Sequence, residues 1–135
     1  MDSARTPSIR FVVLRHAPGS RSSRALHWDF MVEVGDSLRT WALAEEPTAQ
    51  RSIEAHALPP HRLAYLEYEG AISADRGMVA QWDHGTYSML ADSEDLLILD
   101  LAGGRLRGQV RLTRQKDSTG HWIFRFSSGL AATSD

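Results

Sequence analysis

From Leu26 to Val34 apolar and polar side chains alternate almost without a break. Leu26, Trp28, Phe30, Val32 and Val34 fall on one face, and His27, Asp29, Met31 and Glu33 on the other. This period predicts a strand with one face in a core. Residues 9–16 are β-branched and aromatic-rich and predict an earlier strand ending on His16. Gly35-Asp36 punctuates the chain before residues 37–44, which predicts a hairpin. Residues 78–82 and 86–90 read as strands flanking a turn at Asp83-His84-Gly85, and residues 96–101 and 106–113 pair around Gly103-Gly104. A last strand over 121–126 follows a turn at 117–120. Residues 45–60 are polar and carry prolines, and read as loop with a short strand near Ile53. Residues 61–69 read as one or two helical turns.

The expected fold is all-β: a small closed or nearly closed antiparallel β-barrel of about eight strands with little helix. Residues 9–126 form the expected domain, with a disordered N-terminus over 1–8 and a loose tail over 127–135.

Composition changes this picture little. In 135 residues, 42% hydrophobic and 24% charged content suit one globular domain rather than a disordered chain. A net charge of −2 excludes coating of nucleic acid by bulk attraction, so any such binding needs a local patch. The absence of cysteine excludes disulfides and thiolate metal sites and suits a reducing compartment. No apolar run approaches the ~20 residues that span a bilayer, and the first eight residues lack the apolar core of a signal peptide. A cytoplasmic monomer without membrane contact is expected.

The chemistry sits on the polar face. His27 and Asp29 stand two residues apart on one strand, and His16 ends a strand that can lie beside it. Two imidazoles and a carboxylate suit Mn²⁺, Zn²⁺ or Fe²⁺ with positions left open for water or substrate. A His-x-Asp pair is more often a surface pair than a site, but Trp28 and Phe30 anchor this strand stiffly. His56, His84 and His121 have no partner at metal-ligand spacing, and Trp28, Trp41, Trp82 and Trp122 read as core rather than as base-stacking platforms. Arg105, Arg107 and Arg111 form a row with Arg114 and Lys116 beyond, which more often marks the wet side of a sheet than a nucleic-acid track.

The segments FVVLRH, LHWDFMVE, TWAL, HRLAYLEYEG and QWDHGTY, in that order, resemble the 3′-phosphoesterase domain of bacterial DNA ligase D and its free-standing relatives. The resemblance runs from about Phe11 to Phe126. It implies a β-barrel with a Mn²⁺ site that trims 3′ ends of DNA or RNA, with a separate ligase or polymerase chain as a further partner. The metal ligands then fall on His16, His27 and Asp29, and the active-site histidine that contacts the reacting phosphate on His61, with Tyr65 four residues later. Glu33 is a candidate to orient a ligand imidazole from behind.

Departures from the family pattern are as informative. Its arginine two residues after the metal-binding aspartate is Met31 here, and its lysine after the W-A-(V/L)-P stretch is Glu45. An arginine–phosphate bond contributes ~1.5–3 kcal/mol, so replacements are required for full turnover. Arg62 and Arg51 are the preferred replacements, with Arg21 and Arg24 of the lengthened loop as others. Two rivals stand beside a phosphoesterase: a non-catalytic module binding metal and nucleic-acid ends, and a two-His-one-carboxylate Fe²⁺ oxygenase.

Overall fold

The computed structural model describes residues 9–20, 25–116 and 118–129, and of Ala74 only the backbone. The expected N-terminal segment 1–8, Arg21, Arg24, Asp117 and residues 130–135 lie outside the described residues. Nine strands run in chain order: β1 (Arg10–Ala17), β2 (His27–Val34), β3 (Ser37–Leu43), β4 (Ser52–Arg62), β5 (Gly70–Ile72), β6 (Gly77–Asp92), β7 (Leu96–Gly103), β8 (Arg107–Arg114) and β9 (His121–Ser128). Two short 3-10 turns, Leu63–Leu66 and Ser73–Asp75, flank β5. Among the described residues, no helix is long and apolar enough to cross a membrane.

Eight of the strands form a nearly closed antiparallel ring in the order β1-β2-β3-β4-β9-β8-β7-β6, with β6 returning to β1. β5 lies outside the ring's circuit, against the start of β6.

Three expectations need correction. The stretch 45–60 is not mainly loop, because β4 occupies eleven residues from Ser52. Ile53 and Ala55 point inward at alternate positions while Glu54 and His56 point out. Pro59 and Pro60 fit because the β3–β4 register shifts there: Thr40 faces Leu58 and Leu38 faces His61. β9 pairs only as far as His56, so the prolines withhold no hydrogen bond from a second neighbour. The second correction is that Asp83-His84-Gly85 makes no turn; β6 passes through it as one strand of sixteen residues. Third, the last strand runs to Ser128, past the expected boundary at 126.

Alternation divides the packing into two layers. Phe11, Val13, Trp28, Phe30, Val32 and Trp41 point into the ring, where Phe30 meets Phe124 edge-on at 5.4 Å and Trp41 meets Trp122 at 5.7 Å. Trp28, Trp41 and Trp122 are core, as expected, and Trp82 is half-buried beneath the Arg105 guanidinium at 4.5 Å. The residues between them point outward, and there Val12, Leu14, Met31, Leu38, Leu66 and Val79 form a second cluster. The segment from Leu63 to Ile72 covers it, so β2 is buried on both faces over six residues. Each such side chain contributes roughly 1.5–3 kcal/mol by leaving water. This outer layer, with its roof, is what positions the site.

Candidate metal centre

The β1–β2 ladder sets His16 directly opposite His27, and Leu14 opposite Asp29. The two imidazoles therefore stack across neighbouring strands with ring centroids 4.6 Å apart, and Asp29 lies one step along the same outer face. His16 Nδ1 is 3.3 Å from Asp29 Oδ2, and His27 Nε2 is 3.2 Å from Asp29 Oδ1. One ligand atom from each residue lies within 4.8 Å of the other two.

Both rings are aimed by backbone carbonyls. His27 Nδ1–H donates to the Ala25 carbonyl at 2.9 Å, which leaves the Nε2 lone pair facing Asp29. His16 Nε2–H donates to the Arg76 carbonyl at 3.2 Å, which leaves Nδ1 facing the same carboxylate. Gly77 holds that second support close. Its φ is +121°, and a Cβ there would meet the Ala17 carbonyl oxygen at 2.1 Å and His16 Nε2 at 3.1 Å.

Two buried atoms in this cluster, His27 Nε2 and Asp29 Oδ1, have no hydrogen-bond partner among the described residues. They face each other at 3.2 Å without a hydrogen bond, as two lone-pair atoms aimed at a third body would. Ligands about 2.1 Å from an ion sit about 3.0–3.4 Å from one another, and each histidine stands at that spacing from one Asp29 oxygen, His16 at 3.3 Å from Oδ2 and His27 at 3.2 Å from Oδ1. Burial raises the Asp29 carboxyl, but the closeness of His16 and His27 outweighs it and brings it down from 3.8 to about 2. The carboxylate is thus ionised and ready to ligate across the physiological range.

The cluster opens into a pocket of about 220 Å³. It is lined by Leu14 and Met31, by His61 near the end of β4, and by Tyr65, Ile72 and Arg76 from the segment after it. His61 Nδ1–H donates to the Pro59 carbonyl at 2.9 Å, leaving Nε2 for other work, and its ring meets Tyr65 edge-on at 5.7 Å. The structure therefore brings His16, His27, Asp29, His61 and Tyr65 to one pocket.

Other expected residues stand elsewhere. Glu33 does not orient an imidazole: six residues at about 3.3 Å each put it roughly 20 Å along β2 from His27. There it holds Arg10, accepting from Nε at 2.9 Å and from Nη2 at 3.1 Å. Arg51 pairs with Glu45 at 2.6 Å, and neither lines the pocket. Arg62, at the end of β4, lines the groove next to the pocket rather than the pocket itself. Met31 is fully buried in the outer apolar cluster and lines the pocket with a neutral side chain. Of the arginine row, Arg107 and Arg111 lie on β8, four strands from β2 in either direction round the ring, and Arg105 lies in the turn before it over Trp82. The residue that sequence reasoning missed is Arg76, sixty positions from the histidine that it supports. Its only local signal is a cation just before a glycine that opens a strand.

Ring and pocket together define a class, that of small all-β domains carrying a two-histidine, one-carboxylate cluster fit for a divalent ion on the outer wall. The protein belongs to the DNA ligase D 3′-phosphoesterase domain family, whose family model matches residues 20–114. That span takes in His27, Asp29, His61, Tyr65 and Arg76, and His16 precedes it by four residues. A curated relative, the multifunctional non-homologous end joining protein LigD of Pseudomonas aeruginosa, is 29% identical over 112 residues, covering 76% of this chain. The match accounts for 13% of that relative's length.

Proposed function

We propose that this protein is a divalent-metal-dependent 3′-phosphoesterase that trims DNA or RNA 3′ ends in end repair, with Mn²⁺ as the ion and a separate ligase or polymerase chain using the product. The observation that carries this reading is the convergence of His16, His27 and Asp29 in a pocket that His61 and Tyr65 also line. His16 Nδ1, His27 Nε2 and the Asp29 carboxylate are the atoms that would hold the ion. A divalent cation there supplies Lewis-acid polarisation of a phosphoryl oxygen and a water of lowered pKa. His61 uses the Nε2 that its Pro59 bond leaves free, steadying the phosphate or passing a proton to the leaving oxygen. Tyr65 packs on that imidazole and fixes its angle.

The test is phosphate release from a 3′-phosphorylated oligonucleotide. Turnover with Mn²⁺ that a chelator abolishes is the expected result. His61→Ala should keep Mn²⁺ uptake and lose roughly 10²–10³ in rate. One observation favours a second reading, a non-catalytic end-binding module: the buried Met31 replaces a family arginine while Glu45 is bound up with Arg51. Tight, metal-dependent binding of the oligonucleotide without release of phosphate would select that reading and overturn ours.

A further inference from the structure

Beside the metal pocket runs a second groove of about 380 Å³, between the 3-10 turn at Leu63–Leu66 and β5. The two share Tyr65, Ile72 and Arg76 as lining, so they lie side by side. Three rings step outward along this path: His61 meets Tyr65 at 5.7 Å, and Tyr65 meets Tyr68 at 5.6 Å, each edge to face. Tyr68 is among the most exposed large apolar side chains, at 36%.

The groove's charge is one-sided. Arg62 and Arg76 line it, and no carboxylate does among the described residues. Arg10, Arg39, Arg51 and Arg114 each face a carboxylate, whereas the Arg62 guanidinium makes no hydrogen bond or ion pair among the described residues. Among the described residues the Arg76 guanidinium donates to neutral oxygens alone, the Ser73 carbonyl at 2.8 Å and the Ser73 hydroxyl at 3.0 Å. In a protein of net charge −2, two uncompensated guanidiniums around an exposed tyrosine make a local anion site with a stacking surface.

We propose that this groove holds the single-stranded polynucleotide leading into the metal centre, with Tyr68 stacked on a base and Arg62 and Arg76 on adjoining phosphates. This deepens the phosphoesterase reading above and rests on it. It also gives the strand a direction: the reacting 3′ end lies over His16, His27 and Asp29, and the 5′ side leaves past Tyr65 and Tyr68. Bases that have left a duplex stack on aromatics irrespective of sequence, so the groove serves ends of any sequence.

The experiment is fluorescence anisotropy of a labelled 3′-phosphorylated DNA oligonucleotide, with Mn²⁺ present and after chelation, beside binding of a nucleoside 3′-monophosphate. Tyr68→Ala and Arg62→Ala should each weaken oligonucleotide binding about 5- to 100-fold, and at least five times more than mononucleotide binding. Tyr68→Phe, which keeps the ring, should restore it. Arg62→Ala should also lower the salt slope by about 0.7, one phosphate's worth. Arg111→Ala, on the far wall, should change neither ligand. If the Arg62 and Tyr68 variants bind the oligonucleotide like wild type, or lose both ligands in parallel, the proposal is overturned. If wild type releases no phosphate yet these variants still lose the oligonucleotide selectively, the groove stands and the phosphoesterase reading fails.

Discussion

His16 and His27 are register partners in the β1–β2 ladder, with rings 4.6 Å apart although ten residues separate them in the chain. The ladder sets their geometry, not the excursion between them. Closing a longer loop costs little, since the penalty grows only with the logarithm of its length. A lengthened connection is therefore compatible with an intact centre, and Asp29 follows automatically because side chains two apart share a face.

That arrangement has a pH signature in the metal-free protein. The Asp29 carboxyl lies at about 2 when folded, below its ordinary 3.8, because the His16 and His27 contacts outweigh the burial that opposes them. A depressed carboxyl stabilises the fold above its unfolded pKa, and the contribution disappears as pH falls from about 4 towards 2. Its size is about 2 kcal/mol. Urea unfolding at stepped acid pH, with chelator present, should show wild type losing about that much more than Asp29→Asn. Parallel acid limbs for the two proteins would refute the assignment.

Glu33 tests the boundary of the centre. Its carboxylate is held below the usual range first by its hydrogen bond to Arg10, and the pair ties the far end of β1 to β2. The Arg10 side is substantially exposed, so Glu33→Gln should cost at most about 1 kcal/mol of stability. Calorimetric Mn²⁺ affinity should match wild type. A tenfold loss of metal affinity would mean that Glu33 reaches the imidazoles after all.

Much of this was legible in the chain and some was not, for physical reasons. Strict alternation over 26–34 marks β2, because one face is core and the other carries His27 and Asp29. The outer face is itself covered, which alternation cannot reveal: Met31 reads as a solvent-side residue and is buried under the roof. β4 hides because its inward residues include only one large side chain, Ile53, before small alanines and two prolines. Arg76 left no pattern, since its tie to His16 is a backbone carbonyl that any residue could offer. Where that carbonyl sits depends on how Gly77, at a φ of +121°, turns the chain after it.

Asp83-His84-Gly85 misleads for a reason that also gives the sharpest stability prediction. Tripeptides of this type normally turn, with the aspartate capping its own backbone. Here Asp83 serves another turn: Oδ1 accepts the amides of Gly104 at 2.8 Å and Arg105 at 3.1 Å, and Oδ2 accepts Leu106 at 2.8 Å. The carboxylate thereby fastens the β7–β8 hairpin to β6, freeing residues 83–85 to stay extended. The fit is close, since a Cβ on Gly103 would lie 2.6 Å from Asp83 Oδ2 and 2.6 Å from the Phe11 ring. Asp83→Ala leaves three amides without their acceptor and should cost about 3 kcal/mol, with Asp83→Asn in between because one acceptor oxygen remains. Gly103→Ala should destabilise in the same direction by overpacking. Amide exchange at 104–106 should quicken in the Asp83 variants well before global unfolding, while Mn²⁺ affinity holds, because the hairpin does not line the pocket of His16, His27 and Asp29. Unchanged exchange at those three amides would show that the turn stands without its carboxylate.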